Sequence, residues 1–150
     1  MDYILEVLPG LLEGAVISLQ VFFLCLLLSL PLGAFVSFLM QIKFPPLRWL
    51  LNIYVLIMRG TPLLLQLIFI YYVLPSIGIN FGRMPAVIIA FTLNYAAYFS
   101  EIFRGGIESI PAGQYEAAKV LKLSQWQTIR FIILPQVVKI VLPSVFNEVI

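Results

Sequence analysis

Histidine is absent from this chain of 150 residues, and cysteine occurs once, at Cys25. Without histidine there is no imidazole to ligate a metal or to act as a general base. A single cysteine cannot form a disulfide or a cysteine-based zinc site within one chain. Cys25 lies in an apolar run, where a thiol behaves as a small buried hydrophobe. These absences leave little material for a metal site or for an intramembrane enzyme.

Charged residues are also scarce. They make up 11% of the chain while 62% is hydrophobic, whereas a soluble domain carries about 25% charged residues. The composition therefore predicts an integral membrane protein, and nucleic acid is not expected as a partner at a net charge of +2. The first residues include Asp2, Glu6 and Glu13 instead of the basic start of a signal peptide, so we expect no cleaved leader.

Long apolar runs locate the membrane spans. Residues 14–42 carry no charge, and crossing the hydrocarbon core takes roughly 20 apolar residues. Second and third spans are predicted over residues 49–74 and 85–103, and a fourth apolar stretch starts at Phe131 and reaches Ile150. We therefore predict one all-α membrane domain over the whole chain, with three complete transmembrane helices and part of a fourth. We expect more chain after Ile150.

The basic residues are divided unevenly between the two sides of these spans. Those after the first and third spans are Lys43, Arg48, Arg104, Lys119, Lys122 and Arg130, against Arg83 alone on the other side. Lysine and arginine accumulate in cytoplasmic loops. The N-terminus is therefore predicted to lie outside, and the interval after the third span in the cytoplasm.

That interval, residues 105–136, is the longest polar stretch of the chain. Pro111 suits the first turn of a helix that continues to Leu121. Ser124, followed three residues later by Gln127, fits a capping box that opens a second helix. We predict two short helices across the ends of the spans, exposed to a soluble partner. An amphipathic loop at the lipid interface fits the same pattern.

Several motifs in series resemble those of one family of membrane proteins, the binding-protein-dependent ABC importer permeases, and in particular the polar amino acid permeases. They cover the chain from about residue 54 to residue 147 in the expected order. The motifs are Glu116-Ala117-Ala118 with Ile132 and Leu134-Pro135, which is similar to the EAA loop; residues 59–64 (Arg-Gly-Thr-Pro-Leu-Leu) with Gln66, which resemble the RGTP segment; and residues 94–107 and 111–114.

The resemblance implies a type I ABC importer permease in a bacterial inner membrane, moving a polar amino acid by alternating access. It implies a second permease subunit, identical or different, an extracytoplasmic solute-binding protein, and a cytoplasmic ATPase. The chain has no G-x-x-x-x-G-K-[ST] phosphate loop. ATP would therefore be bound on the ATPase, and the permease itself would need no cofactor and would not be an enzyme. The alternative is a channel-like or structural multi-span subunit that has no ATPase partner.

The resemblance also assigns a coupling (EAA) loop over residues 106–130. ATPase docking is then expected at Gly113, Glu116, Ala117, Ala118 and Lys122. The family pattern has glycine where this chain has Lys122. Glycine there supplies a left-handed residue at the end of a helix, so the geometry of this turn is left open.

Polar and ionisable groups inside the predicted spans mark a candidate substrate pathway, because a charge there costs roughly 2.5 to 3.5 kcal/mol. Three alternatives stay open: Arg59 could extend to the cytoplasmic interface, Glu101 could pair with Arg104 on its own helix, and Gln66 could hydrogen-bond between helices. The candidates are Arg59, Thr61, Gln66, Asn94, Tyr98 and Glu101. Membrane lipid is expected around the whole bundle.

Overall fold

The computed structural model describes residues 2–150, and the side chains of residues 7–150. The chain folds into helices joined by short connections, as an all-α membrane protein, which confirms the predicted fold class. In chain order they are α1 (Asp2–Met40), α2 (Pro45–Gly60), α3 (Leu63–Ser76), α4 (Arg83–Glu108), α5 (Ala112–Val120) and α6 (Gln125–Val149). Within the described residues α1, α4 and α6 are each long and apolar enough to cross a membrane, and α2 with α3 form a bent pair.

The centre of the fold is the contact between α1 and α4. Ser29, Gly33 and Ser37 recur at every fourth position of α1 and are buried on one face. A Cβ added at Gly33 would lie 2.6 Å from the Cβ of Phe99 and 3.0 Å from the carbonyl oxygen of Ala96. Small side chains let the two backbones approach this closely, as in other membrane helix pairs.

The segment predicted as one second span, residues 49–74, is two helices. Between α2 and α3 the chain turns by 107°, a much larger change of direction than a proline kink. Thr61 is extended, with φ −118° and ψ 145°, and Pro62 follows at φ −61° and ψ 135°. Proline disfavours a helical residue before it, so α2 ends at Gly60 and α3 starts afresh at Leu63.

Two widened helical turns each precede a Leu-Pro pair. They span Phe69–Val73 in α3 and Thr128–Ile133 in α6, and in both the next leucine donates its backbone N–H to the carbonyl five residues back. Proline offers no N–H to the carbonyl four residues before it. A wider turn shifts the backbone pairing past that position.

The boundaries of the last two long helices differ from the prediction. The third span, predicted over residues 85–103, runs as α4 through Glu108. The second short helix of the polar interval does not end before the fourth apolar stretch. It begins at Gln125 and continues as α6 through Phe131, which was predicted as the start of that stretch.

Replacing Gly33 with alanine is expected to destabilise the α1–α4 contact. The new methyl group would overlap Phe99 and the α4 backbone, and overpacking costs about 1–3 kcal/mol. The measurement is the thermal unfolding midpoint of the purified full-length protein in detergent. Gly14→Ala is the control, because a Cβ there meets nothing within 4 Å. Equal midpoints for the two variants would contradict the packing described here.

Candidate functional site

The polar residues predicted inside the spans gather at the break between α2 and α3. The carbonyl of Met58 lies four residues before Pro62 and so lacks the backbone donor that a continuous helix would give it. Side chains supply donors instead. Asn94 Nδ2 lies 2.8 Å from the Met58 carbonyl oxygen and Gln66 Nε2 lies 3.0 Å from it. In a membrane each unsatisfied backbone group costs several kcal/mol.

Three of the predicted pathway residues are connected to one another at this break. Gln66 Nε2 donates to the Thr61 hydroxyl at 2.8 Å, and Asn94 Nδ2 donates to Gln66 Oε1 at 3.1 Å. The Thr61 hydroxyl in turn donates to the carbonyl of Ile57 at 2.7 Å. Asn94 is only 5% exposed. These donors are used within the protein, so the contacts correspond to the alternative in which Gln66 bonds between helices.

The other three predicted pathway residues, Arg59, Tyr98 and Glu101, form a charged group together with Arg104. Glu101 accepts two hydrogen bonds from Arg104 on its own helix, at 2.9 and 2.7 Å, and lies 3.6 Å from an Arg59 nitrogen of α2. The Arg59 guanidinium also lies over the ring of Tyr98, 5.1 Å from its centre. Arg104 continues to Glu108 at 2.9 Å. Two cations therefore share one carboxylate where α2 meets α4.

This charged group borders an open cavity of about 600 Å³ between α2, α4 and the end of α1. Its lining combines three arginines with one glutamate, so it offers donors for an anionic group beside an acceptor for a cationic one. Lining residues include Arg48, Asn52, Arg59, Tyr98, Glu101 and Arg104. Such a surface suits a small molecule that carries both charges.

The short helix α5 holds the residues predicted to dock an ATPase. Gly113, Glu116 and Ala117 are exposed on it, whereas Ala118 is 1% exposed and faces the bundle. Gln136 of α6 donates to Gln114 of α5 at 3.2 Å, which holds α5 against the last helix. Of the Glu-Ala-Ala motif, the glutamate and the first alanine are therefore accessible to a partner, and the second alanine packs.

Lys122 adopts the geometry that glycine would provide. It has φ 55°, and among residues 2–150 it is the only non-glycine residue with positive φ. Its N–H bonds the carbonyl of Lys119 and the N–H of Leu123 bonds the carbonyl of Ala118, each at 3.0 Å. This is the hydrogen-bond pattern of a Schellman turn. The turn geometry left open by the sequence is therefore the one that glycine normally supplies.

The predicted capping box is present. Ser124 Oγ accepts from the Gln127 backbone N–H at 3.2 Å, and Gln127 Oε1 accepts from the Ser124 N–H at 2.9 Å. Beside it lie large apolar side chains that the sequence reasoning did not single out. Val120, Leu121 and Trp126 are 82%, 68% and 65% exposed. The sequence signal that could have identified these residues is their position next to the polar turn and outside the apolar runs.

Comparison with known proteins places this chain among transport proteins. Residues 29–150 match the family model described as binding-protein-dependent transport system inner membrane component. The chain is 41% identical to the probable amino-acid ABC transporter permease protein YckA of Bacillus subtilis, over 95% of this chain and 63% of that protein. It is 38% identical to the arginine transport system permease protein ArtQ of Bacillus subtilis, over 95% of this chain and 66% of that protein.

A solved structure has the same fold. A chain in the crystal structure of an amino acid ABC transporter with histidines superposes with a TM-score of 0.89 at 32% identity, covering 98% of this chain and 69% of that one. The present chain thus spans about two thirds of the length of the proteins that it matches.

Asn94→Leu is expected to weaken the α2–α4 contact. The substitution keeps the number and branching of the side-chain heavy atoms but removes the amide donors, which leaves the Met58 carbonyl with Gln66 as its side-chain donor. Loss of a buried partner costs about 1–3 kcal/mol. The readout is the unfolding midpoint of the full-length protein. Asn52→Leu is the control, because Asn52 is an exposed residue of α2 at the border of the cavity. A midpoint unchanged by Asn94→Leu would show that the break does not need this amide.

Lys122→Gly is expected to stabilise the turn after α5. A left-handed conformation costs a non-glycine residue about 1–2 kcal/mol, and glycine removes that cost. Glycine also raises the conformational entropy of the unfolded chain, which offsets part of the gain in stability. Hydrogen–deuterium exchange at the amides of residues 118–124 should slow several-fold. Lys119→Gly, inside α5, should quicken exchange instead. Faster exchange in Lys122→Gly would contradict this account.

Proposed function

Since the chain belongs to the family of binding-protein-dependent transport system inner membrane components, we propose that it is the permease subunit of an ATP-driven importer for polar amino acids. The amino-acid transporters among its relatives support the substrate class. The permease pairs with a second permease subunit, receives its substrate from an extracytoplasmic binding protein, and is driven by a separate ATPase.

The observation that carries this proposal is the form of α5. It is a nine-residue helix that begins after Pro111 and ends in a tight turn, and it presents Glu116 and Ala117 outward. Exposed apolar residues lie at its end and shortly after it in the chain, namely Val120, Leu121 and Trp126. Small and apolar side chains beside a single acid suit a close protein contact whose rim is polar.

Movement at α5 reaches the membrane through two contacts. Gln114 and Gln136 link α5 to α6, and a cluster that includes Ile110, Ile133 and Val137 packs the end of α4 against α6. When the ATPase subunits close on ATP, displacement of α5 therefore shifts α4 and α6 together. Alternating access follows from the two resulting arrangements of the bundle.

The charged cavity beside α4 is the candidate place for substrate on this chain. An amino acid carries an ammonium and a carboxylate, and the cavity offers Glu101 for the first and Arg59 or Arg104 for the second. Tyr98 borders it and already contacts Arg59 through its ring. In this proposal Asn94, Gln66 and Thr61 position α2 and α3 for the pathway, and substrate does not contact them.

The orientation that fits this mechanism has the N-terminus outside and α5 in the cytoplasm, where ATP is available. The bias of lysine and arginine toward that side supports it. ATP is bound by the ATPase subunit, and the permease carries no cofactor.

Glu116→Lys is expected to uncouple uptake. The reversed charge at the centre of the docking surface should lower ATPase binding at least about tenfold, equivalent to about 1.4 kcal/mol. Inside-out vesicles containing the full-length permease and its permease partner are incubated with purified ATPase, and both binding and substrate-dependent ATP hydrolysis are measured.

Gln41→Lys is the matched control, because it places a lysine at an exposed position in the other loop on the proposed cytoplasmic side. It should bind ATPase as the parent protein does. Normal coupling in Glu116→Lys would overturn the docking assignment. Binding of ATPase to right-side-out vesicles alone would overturn the orientation.

A further inference from the structure

The helix α2 has three distinct sides. Arg48, Asn52 and Arg59 follow one another at helical spacings of four and seven residues, and all three border the charged cavity. A second side, which includes Tyr54 and Val55, packs on the bundle. The remaining side is apolar and exposed, and it includes Trp49, Leu50 and Ile57 at 67%, 59% and 52% exposure, while Leu56 lies at its edge and borders the cavity.

The direction of α2 follows from its neighbours. The helix α3 runs antiparallel to α4, because Gln66 contacts Asn94 while Ile70, further along α3, packs against Ala90 and Ala86. The chain turns by 107° between α2 and α3. It follows that α2 lies close to perpendicular to α4, which crosses the membrane.

The contacts of α2 agree with a crossing geometry. Tyr54 donates to the carbonyl of Leu93 at 2.6 Å, and Arg59 reaches Glu101 at 3.6 Å. Its first half is held less closely, since Arg48, Trp49 and Leu50 are all exposed. Thus the second half of α2 meets α4 between Leu93 and Glu101, and its first half extends away from α4.

We propose that α2 is an interfacial helix that lies in the plane of the membrane, with its apolar side in the acyl region of one lipid leaflet. Helices with one apolar face and a basic polar face bind membrane surfaces in this way. Anionic lipid headgroups are the matching partner, because the exposed cations Lys43 and Arg48 lie at the start of α2 and Trp49 follows them.

This assignment moves the start of the second membrane crossing. The crossing begins at Leu63 in α3, rather than at residue 49 as the hydropathy predicts. It also gives the break at Thr61 and Pro62 a role, since the chain there turns from the plane of the membrane into its core. The assignment does not depend on the proposed transport function.

Depth measurements along α2 test the proposal. Leu50 and Ile57 are seven residues apart on the exposed side. Each is replaced by a spin-labelled cysteine in a Cys25→Ala background, in the full-length permease reconstituted with its partner subunits into vesicles that contain anionic phosphatidylglycerol. Collision with oxygen and with a water-soluble nickel complex gives the depth. An interfacial helix predicts depths within about 3 Å of each other, whereas a crossing helix separates them by about 10 Å.

Leu28 and Phe35 provide the matched control pair on α1, because both are exposed, seven residues apart and within the uncharged run. Their depths should differ by about 10 Å. If spin labels prevent assembly, tryptophan fluorescence replaces them in a Trp126→Phe background. One variant keeps Trp49, and the other carries Trp49→Phe together with Ile57→Trp. Each is quenched with lipids brominated at defined depths, and an interfacial helix predicts equal depths for positions 49 and 57.

Two results would overturn the proposal. One is a depth difference between positions 50 and 57 equal to that of the control pair, which would make α2 a crossing helix. The other is protection of both positions from lipid quenchers and from water alike, which would mean that a second protein subunit covers this side.

Discussion

The structure depends on how one carbonyl group is satisfied away from water. Pro62 removes the donor that the Met58 carbonyl would have in a continuous helix. Asn94 of α4 and Gln66 of α3 both donate to it. This contact ties three helices together at the point where the chain turns by 107°. Without it a right-angled break within a membrane protein would leave an unpaired backbone group, which is the situation that membrane folds avoid.

Small residues allow the rest of the bundle to form around that point. Gly33 lets α1 approach α4 until their backbones nearly touch, and Gly106 of α4 leaves room for the side chain of Val141 on α6. Both glycines lie within helices and are buried. Membrane helices gain little from hydrophobic burial against each other, so close backbone packing of this kind supplies much of their association.

Much of the fold could be predicted from the sequence, since the apolar runs give most of α1, α4 and α6, and Ser124 with Gln127 marks the start of α6. Hydropathy alone nevertheless places the start of the fourth apolar stretch at Phe131, later than the helix start that the cap at Ser124 marks. The angle at Pro62 could not be predicted, since a proline requires a break but tertiary contacts set its size. Ala118 faces inward because of how α5 sits on α6, which residue type does not reveal.

The predicted pathway residues fall into two groups, and residue type alone does not indicate which residue belongs to which group. Asn94 and Glu101 lie seven residues apart on one helix and both have partners within the protein, but Asn94 is buried against backbone and amide groups whereas Glu101, paired with Arg104 and Arg59, also borders an open cavity. The difference arises from which part of α2 each one meets. The chain itself belongs to a family of transport components, and its polar residues both hold helices together and line an open cavity.

The continuity of α6 determines how mechanical work would travel through this protein. A rod that is anchored by a cap at Ser124 and packed by Val141 against Gly106 has no hinge loop between its two ends. Under the proposed mechanism, displacement of the capped end would be passed along this helix, and the packing of Val141 on Gly106 would couple it to α4. The regular helix is interrupted on this route by the widened turn at Thr128–Ile133 and by Pro143, and helices bend most easily at such positions.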